Sequence, residues 1–135
     1  MAKIVLTDVK VTINSVNLSD HIASVTLTTD VAEVATTGFS ETSITRVGGL
    51  KDNSIQIEFH QDFAASNVEA TIYPLIGTAP TCVVSPTSAV VGSTNPTYTF
   101  TALVNSWSPV AGAVGDLATV SVTWPISGAI TKATS

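Results

Sequence analysis

Ser54-Ile55-Gln56-Ile57-Glu58-Phe59-His60-Gln61 decides the fold. Apolar and polar residues alternate through it, a period of two that belongs to a β-strand with one face buried and one in water. The pattern recurs on both sides. Between Ser24 and Val34, Val25, Leu27 and Val31 share one face, and Thr26, Thr28 and Asp30 the other. Thr97 to Val104 sets Tyr98, Phe100, Ala102 and Val104 against Thr97, Thr99 and Thr101. Ala118 to Trp124 sets Val120, Val122 and Trp124 against Thr119, Ser121 and Thr123. Val9 to Ile13, Thr81 to Val84 and Ala129 to Lys132 are shorter candidates, with Asn14 to Asn17 as the turn of a first hairpin. Strands this rich in β-branched residues predict a mainly β chain, formed as a single domain over residues 1–135.

One segment reads as helix. Ser66-Asn67-Val68-Glu69 has the spacing of a capping box, and Val68, Ile72, Leu75 and Ile76 follow on one face. Pro74 limits the helix to about two turns, and Gly77 suits its end. It is expected to flank the sheet. Two connections stand out. Thr36 to Asn53, with Gly38, Gly48 and Gly49, reads as a long inter-strand loop, of a length usually reserved for function. Ser85 to Pro96 is polar and uncharged, and Ala111 to Asp116 is a smaller turn.

Charge is distributed unevenly. The net charge is −5, charged residues make up 11% of the chain and apolar residues 44%. After Glu69 the only charged residues are Asp116 and Lys132. A soluble surface normally carries far more charge. Either Thr and Ser supply the polar face of this half, or sister molecules cover it; the second reading predicts a self-assembling subunit. The acidic balance excludes the basic footprint of a nucleic-acid binder, yet suits a conduit through which DNA slides without sticking. No apolar run approaches the ~18 residues of a membrane-spanning helix, so no membrane partner is expected. The short apolar stretch Ile4-Val5-Leu6 does not make a signal peptide, which predicts synthesis in a cytoplasm. Cys82, the single cysteine, lies in an apolar run and reads as a buried hydrophobe.

The chemistry of catalysis is missing. Glu58 and His60 share a strand face, but a metal would need His21 or Asp62 to complete its ligands, and a polar face is the simpler reading. Asp20-His21 has no nucleophile to serve. Gly48-Gly49 and Gly112 to Gly115 lack the Lys-Ser/Thr of a phosphate loop and read as turns. Trp124 sits on an apolar strand face and belongs to the core; Trp107, beside Ser106, Ser108 and Pro109, reads as core or as an interface anchor. No enzyme, cofactor or metal site is expected.

The run Gly49 to Ala65 leading into Val68 to Thr78, then Asn95 to Tyr98, Pro109 to Ala118 and Val122 to Pro125, resembles the tail tube (major tail) proteins of long-tailed siphophages, especially those of actinobacterial hosts. The resemblance covers about residues 8–133 and rests on turns and helix boundaries. It implies a tail-tube β-sandwich and a homo-oligomer of six-membered rings stacked into a hollow tube. DNA would pass through without specific binding. The tube would meet tape-measure, terminator and baseplate proteins at its ends, in a virion assembled in the host cytoplasm. It implies that the Thr36–Asn53 loop reaches the next ring through Phe39, Glu41, Ile44, Arg46, Val47, Leu50 and Lys51, and that Asp30, Glu33, Glu58 and Asp62 face the lumen. A capsid decoration or adhesion module with an immunoglobulin-like sandwich is the rival class. A tail terminator forming single rings is a near neighbour.

Overall fold

The computed structural model describes residues 3–135. Its seven strands are β1 (Lys10–Ile13), β2 (Val16–Asn17), β3 (Ile22–Ala35), β4 (Arg46–His60), β5 (Thr81–Ser85), β6 (Thr97–Ala102) and β7 (Thr119–Ala133). Its one α-helix, α1 (Val68–Ile72), continues into a 3-10 turn over Tyr73–Leu75 that contains Pro74. The chain is mainly β with a short helix, as the alternation predicts. The strands make one antiparallel sheet in the order β2-β1-β5-β6-β7-β4-β3, folded on itself so that both halves share a core.

β7 is the strand that makes the fold. Its first half pairs with β4, from Thr119↔His60 to Pro125↔Ser54. Its second half pairs with β6, from Ile126↔Ala102 to Ala133↔Thr97. Pro125 has no N–H to continue a ladder, and Gly128 adopts φ +90, which a side chain would disfavour. The register slips here: Thr99 and Thr101 face Thr131 and Ser127. The separate strand expected at Ala129 to Lys132 is therefore the far half of one long, bent strand. The first hairpin turns at Asn14 and Ser15, both with positive φ (50 and 69).

Cross-strand rows fill the core. Val25, Ile57 and Val122 stand abreast on β3, β4 and β7, as do Leu27, Ile55 and Trp124. Val11, Ile13, Cys82, Val84, Phe100 and Ala102 face them from the other half, and Val68 and Ile72 of α1 pack into the same cluster. Burial pushes the Cys82 thiol up to about 11, consistent with a packing role. The outer face of the uncharged half carries threonine and serine: Thr81, Thr101 and Ser127 in one row, Val83, Thr99 and Thr131 in the next.

Three expectations need correction. The Thr36–Asn53 loop is far shorter: Arg46 to Asn53 belongs to β4, leaving Thr36 to Thr45 as the connection. Gly48 and Gly49 are mid-strand, not turns, and they make room for branched neighbours; a Cβ on them would meet Val31 Cγ1 at 3.2 Å and Val34 Cγ2 at 3.1 Å. Ser66 does not cap α1. It takes φ +65, the N-cap is Asn67, and the Glu69 N–H donates instead to the carbonyl of Asp62. Glu69 turns inward to accept from Trp107 Nε1 at 2.8 Å and Gln61 Nε2 at 3.2 Å. Trp107 is thereby tied to the core, edge-on to Phe59 with ring centres 5.6 Å apart, and is no free interface anchor.

Candidate assembly surface

The β3–β4 hairpin runs past the body of the domain. Every residue from Thr29 to Asp52 is exposed. β3 is the edge strand of the sheet, and β4 loses its β7 partner before Ser54, so both edges of this ribbon lack a neighbour among the described residues. The paired strands beyond Thr29 are about 20 Å long at the usual strand rise. The ribbon displays Val31, Val34, Phe39, Ile44, Val47 and Leu50 to solvent, with Phe39 105% and Leu50 87% exposed. An unpaired, apolar ribbon is marginal by itself and a template for pairing. Burying six such side chains is worth about 1.5–3 kcal/mol each.

The arm keeps its shape by local contacts. Thr45 N–H donates to Thr37 Oγ1 at 2.9 Å, and Glu41 accepts from Gly38 N–H at 3.1 Å. Glu33 and Arg46 form an ion pair on one face. Of the residues expected to stack, Phe39, Glu41 and Ile44 lie in the connection, and Arg46, Val47, Leu50 and Lys51 on β4.

The four acids expected in a lumen do not share a face. Asp30 and Glu58 do: the polar rows are Ser24–Glu58–Ser121, Thr26–Gln56–Thr123, Thr28–Ser54 and Asp30–Asp52. Glu33 has the opposite parity to Asp30 and lies on the other side of β3. Asp62, past the end of β4, is engaged as a clamp. It accepts from His21 Nε2 at 2.8 Å, Ala64 N–H at 2.9 Å and Asn67 Nδ2 at 2.9 Å. Asp52 is the acid that sequence reasoning missed. It stands directly opposite Asp30, a like-charge juxtaposition that costs stability in the isolated sheet.

His21 also contacts Asp20, Nδ1 to Oδ1 at 2.8 Å, so both ring nitrogens face carboxylates and both donate only in the imidazolium. Burial lowers its pKa, but the hydrogen bonds to Asp62 and then Asp20 outweigh that and raise it above 6.5. Asp62 is lowered, chiefly by the Ala64 N–H and then by His21. The linkage follows: the His21 contribution is complete below about 6.5 and is lost as pH rises through the raised value. The Asp62 contribution is lost as pH falls through its lowered value. Thermal melts of His21→Gln against wild type should show the largest deficit near pH 5–6 and almost none by about pH 9. A deficit that grows with pH would contradict a charged His21.

Among the described residues no group of three His, Cys, Asp or Glu could hold a metal, and no helix is long and apolar enough to cross a membrane.

No protein-family profile matches this chain, and no curated protein does. Solved structures do. A chain from the virion of a native gene transfer agent particle superposes with a TM-score of 0.77 at 12% identity, covering 96% of this chain and 98% of that one. A chain from the tail of an empty gene transfer agent particle, refined with C6 symmetry, gives 0.59 at 16% identity over 82% and 81%. A chain of the anti-feeding prophage baseplate, six-fold symmetrised, gives 0.51 at 10% identity over 98% and 97%. At these identities the likeness establishes a shared fold: this chain has the architecture of proteins from phage-like tail and virion particles.

Proposed function

We propose that this chain is a non-catalytic structural subunit of a phage-type tail tube in a virion, forming rings, six copies each, that stack into a hollow conduit for DNA. The arm carries this reading: a two-stranded ribbon with unpaired edges and exposed apolar side chains is a surface built to be covered. The fold shared with tail-particle chains supports it, as does the C6 symmetry of one of those particles. In the ring, β3 edges join neighbouring sheets, and the face bearing Asp30, Asp52 and Glu58 turns to the bore. Its register places no Lys or Arg among them, so each ring would present a band of negative charge that repels phosphates. The like-charge cost of Asp30 against Asp52 is then the cost of a non-stick lining. The arm reaches the adjoining ring, and tape-measure, terminator and baseplate proteins meet the ends.

Negative-stain microscopy with sedimentation velocity over rising concentration tests the reading. Hollow tubes, or rings that stack as concentration rises, are expected. Rings that never stack would point to a terminator-like role, and a monomer at every concentration to a decoration or adhesion module.

A further inference from the structure

The arm needs a seat, and the body has an open mouth. Two cavities of about 510 and 360 Å³ open between the halves of the folded sheet, with Thr29 and Ile130 lining both, and together they are termed the trough. Val25 and Leu27 of β3 line one wall, Val84 and Tyr98 the other. The charged residues lining it are Lys51 and Lys132, two of the five cations of an acidic chain, and no carboxylate is among its lining residues. Asn53, 4% exposed, lies at its floor; its Nδ2 donates to the Gly128 carbonyl, while its Oδ1 has no partner among the described residues. A fitting occupant is apolar and negatively charged. The arm tip is both, with Phe39 fully exposed and Glu41 two residues on.

The arm cannot fill its own trough. It leaves the trough's rim at Thr29 and Lys51, and its ladder runs outward to Ala35↔Arg46. We propose that the trough receives the arm tip of a second copy of this chain, with Phe39 seated between the sheet halves and Glu41 against Lys132 and Lys51. Donor and receptor are then different surfaces of the same molecule, so the contact is heterologous and propagates into an open-ended assembly. This rests on the chain being a self-assembling subunit, and it names the receiving surface.

Charge exchange in the full chain tests it. Glu41→Lys and Lys132→Glu, both at exposed positions, should each weaken association at least tenfold by sedimentation or light scattering with unchanged Tm. The double variant should regain most of the loss. A double variant as weak as the two losses combined overturns the proposal. A second readout keeps Phe39 and uses Thr42→Cys, exposed next to Glu41, with Thr29→Cys and a flexible bifunctional maleimide; Cys82 stays silent because it is buried. A ladder of covalent oligomers is expected, whereas Thr42→Cys alone stops at dimers. Charge rescue and a ladder without tubes would keep the trough and discard the tube; tubes without charge rescue would keep the tube and discard the trough.

Discussion

Joining Ala35 directly to Arg46 through Asn-Gly, in place of Thr36 to Thr45, is expected to leave the domain folded and abolish its assembly. Ala35 and Arg46 are directly paired, so a two-residue type I′ turn closes the shortened hairpin without strain. The deleted segment hydrogen-bonds within itself, and none of its residues belongs to the core cluster. Tm should therefore move by no more than about 2 °C, the shift of well under 1 kcal/mol in a domain of this size. Association should suffer heavily. Loss of Phe39 and Ile44 as buried contacts removes about 3–6 kcal/mol per arm, roughly a 10²–10⁴-fold weakening of each contact. Sedimentation and microscopy read the assembly, and a thermal melt reads the fold. A steep fall in Tm would make the tip part of the folding unit; unchanged polymers would remove the arm from the interface.

Much of this was legible in the sequence, because alternation is a direct record of a half-buried sheet. Ile55, Ile57 and Phe59 read as one face, and they are one face; Val120, Val122 and Trp124 likewise. The misreadings have local physical causes. Glycine carries no side chain and hence no period, so Gly48-Gly49 looked like a turn although β3 supplies the ladder that keeps it extended. The strands expected at Ala118 to Trp124 and Ala129 to Lys132 are one strand, because β7 runs on through Pro125 and Gly128 and only changes partner there. Ser66 had the spacing of a cap, yet a cap depends on the direction from which the chain enters, and that is set by the carbonyl of Asp62. The grouping of acids was partly readable. Positions 30 and 33 differ in parity, so one straight strand cannot put both in a bore. Asp52 shares parity with Ser54, Gln56 and Glu58, but it becomes visible only once β4 is known to extend past Ser54. The tie from Trp107 to Glu69 left no local sign, since the two residues are brought together only by the fold.

Trp124→Ala should be among the most damaging single substitutions in the body. Trp124 is fully buried on β7, in one row with Ile55 and Leu27, and its ring packs at 6.2 Å from Phe59 and 6.5 Å from Trp107. Its Nε1 also donates to the Ser106 carbonyl at 2.9 Å, holding the chain that follows β6 against the core. Truncating a buried tryptophan typically costs 3–5 kcal/mol through lost burial and the cavity left behind. Against a typical total of roughly 5–15 kcal/mol, that is a large share, and Tm should fall by about 10 °C or more. Trp107→Phe tests the neighbouring ring of this cluster. It keeps one aromatic ring beside Phe59 but loses the second ring of the indole and the N–H to the Glu69 carboxylate, which still accepts from Gln61, so the loss should be about 1.5–3 kcal/mol, below that of Trp124→Ala. Urea unfolding checks both through the midpoint at constant slope. If Trp107→Phe proved as harmful as Trp124→Ala, the Glu69 contact rather than the aromatic cluster would be what organises this end of the sheet; if neither mattered, the bend of β7 would have to be held by its ladders alone.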